Sequence, residues 1–337
     1  MTRRRAANHL PVRGVGRHAE GMQSPRAAGV RVAWEAVPAR VRLAVEEVCG
    51  SPVTEARTQP GGFSPGVAAR VECADGRRYF VKAVSAEVNQ RSVKIHRTER
   101  DILTALEPVI LAAVLPVPRL RGSVDLDSWV ALILDDVDGR HPAEPWDAAE
   151  LRRVTAALDR LAAALTPSPI AVPAIGEKYA RAFTGWRRLA ESGTQDGLDA
   201  WSRAHLGDLA ALEATWTACT AGDTLIHTDV RADNILLTGD GVVIVDWPHA
   251  CRGAAFVDHV FFAPSVAMQG GPELADLLAL SAAGRSADPR QVAAIVCALG
   301  GYFTYQSLQP APPGLPTVRA FQAAQGEVTR RWLARLL

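Results

Sequence analysis

The sequence predicts an α+β chain of two lobes, a smaller N-terminal lobe built on a β-sheet and a larger, mostly α-helical C-terminal lobe. Three observations carry that expectation. Up to residue 138 the apolar residues gather in short strand-like runs, such as Arg78 to Val84 and Trp129 to Leu134, broken by Gly, Asp and Pro. Beyond Gly139 the period becomes helical, with Leu151, Val154, Leu158, Leu161 and Leu165 forming one apolar stripe closed by Pro167 and Pro169. Within the helical half lies an exception, Thr224 to Trp247, where short apolar runs again alternate with polar loops. The expected division is a tail over 1–30, an N-terminal lobe over 31–138 and a C-terminal lobe over 139–337.

Composition bounds the classes. A chain of 337 residues, 48% hydrophobic and 22% charged, can build two cores and is not disordered throughout. A net charge of +1 gives no general argument for nucleic acid or membrane as partner. The five cysteines are odd in number, scattered and without a CxxC pair, which suggests neither a disulfide framework nor a zinc site and fits a reducing, cytoplasmic setting. No apolar run reaches the roughly 18 residues of a transmembrane helix, and the Arg-rich start lacks the apolar stretch of a signal peptide. Residues 1–30 set Arg3, Arg4, Arg5, Arg13, Arg17 and Arg26 against Glu20 with no hydrophobic period, the pattern of a disordered tail; a nucleic-acid arm would want stacking aromatics that are absent. Met22 offers an alternative start.

Taken in order, Ala33 to Val48 has helical spacing ended by Gly50-Ser51-Pro52. Gly61-Gly62-Phe63-Ser64-Pro65-Gly66 follows between strand-compatible flanks, and small residues let a backbone approach a phosphate closely. Asp75-Gly76 makes a hairpin turn into the strand that carries Lys82. Glu99, Leu103 and Leu106 share a helix face, and Pro116 and Pro118 end that helix. The buried strand 129–134 runs into Asp135-Asp136-Val137-Asp138-Gly139, an exposed connector. In the second lobe, helices are expected near 179–189, 198–219, 272–283, 289–308 and 317–337.

The chemistry concentrates at 224–247. Leu225-Ile226 and Ile235-Leu236-Leu237 flank a loop carrying His227, Asp229, Asp233 and Asn234; the Gly239-Asp240-Gly241 turn folds the run Val242 to Val245 back, bringing Asp246 beside that loop. A hard cation such as Mg²⁺ takes oxygen ligands, usually one or two carboxylates plus substrate phosphates, and Asn234 with Asp246 supply such a set. Asp229 remains for an acceptor. His227-x-Asp229, Asn234 five residues later and a strand ending in Asp246 resemble the catalytic and metal-binding loops of the aminoglycoside phosphotransferase superfamily, whose fold is protein-kinase-like.

The resemblance implies a set of roles. Asp229 would be the catalytic aspartate, and Asn234 and Asp246 the ligands of Mg²⁺. Lys82 would hold the α- and β-phosphates of ATP, with Glu99 as its ion-pair partner and Glu87 in reserve. Gly61 and Gly62 would lie in the nucleotide-positioning loop, and the connector at Asp136 would be the hinge that meets adenine. Asp258 would bond back to the catalytic loop. The implied reaction moves the γ-phosphoryl of ATP to a hydroxyl of a small molecule such as an antibiotic, amino alcohol or sugar. Thr228 and Arg231 depart from the Gly and His often found in this loop, which leaves the acceptor open, and no DFG or APE segment follows as in protein kinases. The rival is a regulatory pseudokinase that binds nucleotide without turnover; a metal-dependent hydrolase using His227 and Asp229 lacks a second histidine cluster. Removing residues 1–21 is expected to leave folding and nucleotide binding intact, and a fall of many degrees in Tm on truncation, with or without ATP-Mg²⁺, would refute it.

Overall fold

The computed structural model describes residues 25, 29–63, 65–193 and 196–337, so most of the expected tail lies outside the described residues. The N-terminal lobe comprises α1 (Ala39–Cys49), β1 (Val53–Thr58), β2 (Val67–Cys73), β3 (Arg78–Ser85), α2 (Ala86–Ala113), β4 (Leu120–Leu126) and β5 (Trp129–Asp135). The five strands form one antiparallel sheet in the order β1-β2-β3-β5-β4. Strand alternation divides its residues between two environments. Tyr79, Val81 and Ala83 of β3 pack with Val41 and Val45 of α1, whereas Val84 joins Leu103 and Leu106 of α2 in the larger core. Lys82 lies on the α2 side by the same parity, between Ala68 of β2 and Leu132 of β5.

The expected helix 33–48 is split. Pro38 caps α1, and Trp34–Ala36 forms a separate 3₁₀ turn, because proline cannot continue a helix through its missing N–H. Helix α2 is longer than the sequence suggested and is interrupted at Asn89, whose extended backbone (φ −159°) and Oδ1, accepting from Ser92 N at 2.9 Å, restart the helix. It ends at Val114 in the left-handed region, before Pro116.

The C-terminal lobe begins with α3 (Ala148–Ala164), capped by Asp147, and continues through α4 (Ile175–Lys178), α5 (Gly185–Ser192), α6 (Ala200–Ala204), α7 (Leu206–Glu213) and α8 (Trp216–Cys219). The single helices expected at 179–189 and 198–219 are thus short pieces. Tyr179 to Thr184 is a turn whose Tyr179 and Phe183 rings stack at 5.0 Å, so the apolar spacing there served packing between helices. Then come β6 (Thr224–Ile226), β7 (Ile235–Leu237), β8 (Val242–Ile244) and β9 (Cys251–Gly253). The β7–β8 hairpin pairs Ile235 with Ile244 as its turn chemistry predicts, and β6 pairs with β9. Helices α9 (Val257–Met268), α10 (Leu274–Ala279), α11 (Ala282–Arg285), α12 (Pro289–Ser307) and α13 (Val318–Leu336) complete the lobe. The helix expected at 272–283 is divided because Ser281 starts α11, its hydroxyl accepting from Gly284 N.

Helices α5 and α12 cross at two glycines: a Cβ on Gly185 would lie 1.9 Å from Gly301 O, far inside contact distance. Gly185→Ala is expected to destabilise by about 1–3 kcal/mol or more through forced separation of these helices, read as a lower urea midpoint; an unchanged midpoint would refute the tight crossing.

Candidate active site

Strand alternation points Lys82 into the cleft between the lobes, where its Nζ bonds Glu99 Oε1 at 2.7 Å, Glu99 Oε2 at 2.9 Å and Asp246 Oδ1 at 2.9 Å. Helix α2 supplies Glu99 from its buried face, and the turn after β8 supplies Asp246. Burial opposes the charge on Lys82, but Asp246 and Glu99 outweigh it and hold the ammonium above its ordinary value. Burial would likewise raise Asp246, yet Lys82 holds its carboxyl well below the usual range. Burial pushes Glu99 up against the pull of Lys82. Glu87, the reserve partner, instead accepts from the Ser128 hydroxyl at 3.2 Å.

Asp229 sits on the loop between β6 and β7. Asn234 Nδ2 donates to Asp229 O at 2.8 Å and to its Oδ2 at 3.2 Å, so the Asn234 carboxamide oxygen is turned away from Asp229. Asn234 and Asp246 line the same cavity, and one amide oxygen plus one carboxylate is a donor set that fits a hard cation. Among the described residues no group of three or more His, Cys, Asp or Glu could hold a metal alone. Burial pushes the Asp229 carboxyl up to about 7 against the pull of Arg231, whose Nη1 donates to Oδ1 at 2.5 Å. Arg231 also forks onto both Asp233 oxygens at 3.0 Å and lies over the rings of Phe63 and Phe321, at 5.4 and 5.7 Å.

The loop is held from behind. Asp258, at the start of α9, accepts from His227 N at 2.8 Å and Thr228 N at 2.7 Å. His227 Nδ1 accepts from Asp229 N at 3.1 Å, which makes Nε2 the donor to Val245 O at 3.0 Å; burial pushes this imidazole down to about 4, so it is neutral. Thr228 has φ 65°, a strained conformation for a β-branched residue, and its hydroxyl donates to His249 O at 2.8 Å and meets Tyr179 Oη at 2.7 Å.

The cavity brings together Gly61, Gly62, Lys82, Asp136, Asn234 and Asp246; Glu99 stands behind Lys82, and Asp229 beside Asn234. Asp136 differs in one respect from a simple lining residue. Its carboxylate turns to Arg70 and Arg78 at 3.4 and 3.5 Å, and the neighbouring main chain is partly engaged, with Asp135 N donating to Arg119 O at 3.0 Å and Val137 O accepting from Arg70 Nη2 at 3.1 Å. Sequence reasoning missed Arg31 and the edge-to-face contact of Phe63 with Phe321 at 5.0 Å, contacts that only the fold brings about.

The cleft now has both its lobes and its polar loop, and the model of the phosphotransferase enzyme family matches residues 56–295, a span that contains every one of these loop residues. The chain belongs to that family. A search of curated proteins found no match. Among solved structures, an aminoglycoside phosphotransferase from Alicyclobacillus acidocaldarius is 16% identical, with 84% of this chain and 91% of that one covered at TM-score 0.54. Choline kinase LicA from Streptococcus pneumoniae is 11% identical over 88% of this chain and 100% of its own at 0.55. The amicoumacin kinase hAmiN, in complex with AMP-PNP, Ca²⁺ and Ami, is 9% identical over 88% and 96% at 0.57. At these identities the structures establish the fold, a mixed kinase-like architecture of sheet and helical lobes. No helix among the described residues is long and apolar enough to cross a membrane.

Within this phosphotransferase fold, Glu99→Gln is expected to lower nucleotide-dependent turnover at least about tenfold by weakening the hold on Lys82, while Glu87→Gln stays within about twofold. The reverse pattern in steady-state assays would reassign the partner of Lys82.

Proposed function

We propose that the protein moves the γ-phosphoryl group of ATP to a hydroxyl of a small molecule, an antibiotic, amino alcohol or sugar-like compound. The observation that carries this reading is the junction of Lys82 with Glu99 and Asp246 in one cavity with Asn234, beside an Asp229 that Asn234 itself anchors. Lys82 would hold the phosphates, and Gly61 and Gly62 would let the backbone approach them. Asn234 and Asp246 would hold Mg²⁺, which when bound supplies charge neutralisation on the phosphates. Asp229 would orient the acceptor hydroxyl and take its proton, a task suited to a carboxyl whose pKa lies near neutrality. Positioning and electrostatics dominate such a reaction, because phosphoryl transfer asks little covalent chemistry of the protein. The amicoumacin kinase structure with AMP-PNP and Ca²⁺ supports nucleotide and divalent metal in this fold.

A second reading, nucleotide binding without turnover, draws on one contact: Arg231 covers Asp229 Oδ1 at 2.5 Å, where an acceptor would compete with it. The two readings part on Asp229 and Asp246. Asp246→Ala is expected to weaken ATP-Mg²⁺ binding as well as rate. Asp229→Asn is expected to leave affinity within a few-fold and slow transfer about a hundredfold or more, roughly 2.7 kcal/mol of transition-state stabilisation. Calorimetric ATP titration and an ATP-consumption screen across hydroxylated small molecules provide the measurement. Wild-type turnover no higher than that of Asp229→Asn with every acceptor would favour the pseudokinase, and no ATP binding would sink both readings.

A further inference from the structure

We propose that Arg31 is a second cationic ligand for the polyphosphate tail of the nucleotide, delivered across the Gly-rich loop by a strap at residues 29–32. The inference rests on the nucleotide reading above and adds a residue that lies outside the segment matched by the family model, 56–295.

The strap is built into the fold. Val32 N donates to Gly66 O at 3.0 Å and Gly66 N to Val30 O at 3.1 Å, a parallel bridge alongside the far end of the Gly-rich loop. Val30 N donates to Gly314 O at 3.0 Å, in the connection between α12 and α13, so the strap touches both lobes. Gly66, at φ 108°, packs its Cα face against β3, where a Cβ would lie 2.4 Å from Ala83 O, so the residue that the strap pairs with is fixed against the sheet. The strap's backbone thereby fixes where the Arg31 side chain emerges.

That side chain lies in the cavity shared by Lys82, Asn234 and Asp246. Its Nη2 donates to Gly61 O, and a Cβ on Gly62 would stand 2.9 Å from the same nitrogen. The guanidinium is therefore laid along the two glycines that would approach the phosphates. A planar fork of five donors can serve a carbonyl and a phosphate oxygen together, often in bidentate fashion, where an ammonium acts as a point charge. The charge inventory of the lining supports the assignment. Arg70 is turned to Asp136 and to Val137 O at the hinge end, and Lys82 is shared between two carboxylates. A polyphosphate tail carries more negative charge than one divalent cation and a shared lysine offset, and Arg31 brings positive charge to the loop side of the cavity. Burial holds the Arg31 guanidinium below its ordinary value against the pull of Asp246, which lines the same cavity.

Calorimetric titration of the full chain with ATP-Mg²⁺, ADP-Mg²⁺ and adenosine tests this. Arg31→Gln keeps a donor for Gly61 O but has no charge. It is expected to weaken ATP-Mg²⁺ and ADP-Mg²⁺ by about tenfold or more and to leave adenosine within about twofold. Arg31→Lys is expected to recover part of the loss, and melting curves of each variant confirm that it is folded. Unchanged ATP-Mg²⁺ affinity in Arg31→Gln, with wild-type protein binding normally, would overturn this inference alone, as would an equal loss for adenosine, which would make Arg31 a tether of the loop and not a phosphate ligand. Wild-type protein that binds no nucleotide would overturn the parent reading with it.

Discussion

Lys82 joins three separately built elements, β3, α2 and the turn after β8, and so ties the sheet lobe to the polar loop at the cleft. The strand parity of β3 aims its side chain, the buried face of α2 brings Glu99, and the turn after β8 brings Asp246. With 16%, 2% and 29% of the side chains of Lys82, Glu99 and Asp246 exposed, Glu99 is withdrawn from water while Asp246 keeps a face open to the cavity. Removing Lys82 would leave Glu99 a buried carboxylate without its cation, the case in which breaking a buried pair costs about 3–5 kcal/mol. A buried ion pair is weak evidence of stability, so its presence here argues for a positional role: it sets the distance between the sheet lobe and the polar loop.

The polar loop has its own foundation. Backbone N–H groups of His227 and Thr228 would be orphan donors in the interior, and Asp258 accepts both. Neutral His227 ties Asp229 N to Val245 O, linking the loop to the strand that leads into Asp246. Two residues here take left-handed conformations, Thr228 at φ 65° and Asp246 at φ 72°, of the kind that persists only where the surroundings over-determine it. For Thr228 the compensation is visible in its hydroxyl, held by His249 O and Tyr179 Oη. A glycine at 228 would relieve the strain and lose both bonds.

Much of this was legible because it is written locally. The Gly239-Asp240-Gly241 turn specified the β7–β8 hairpin, alternation specified β3 and β5, and five-residue spacing placed Asn234 beside Asp229. Glu99 could be preferred over Glu87 because the Leu103 and Leu106 stripe fixes which side of α2 is buried. What was illegible depends on chain segments distant in sequence. Three short helices over 198–219 read as one, since their apolar residues keep helical spacing while the backbone breaks between them. Strand β9 pairs with β6 through only three residues, too few to leave a pattern. Arg31 gave no signal because an arginine following a basic tail looks like more of the tail, and its meaning comes from Gly61, thirty residues on.

Arg231 shows how the two halves of the site share a constraint. The carboxylates of Asp229, Asp233 and Asp246 gather around one loop, and their mutual repulsion would oppose the fold. Lys82 offsets Asp246, and Arg231 offsets Asp229 and Asp233 together. A compact ammonium could not fork onto both oxygens of Asp233 while reaching Asp229, so arginine and lysine are not interchangeable there. The same guanidinium lies over Phe63, a Gly-rich-loop residue, and over Phe321 of α13. Phe63 also meets Phe321 directly, with ring centroids 5.0 Å apart, so the Gly-rich loop rests on α13 as well as on Arg231. One guanidinium thus touches both the polar loop, at Asp229 and Asp233, and the Gly-rich loop, at Phe63, which a compact ammonium on a single contact would not do.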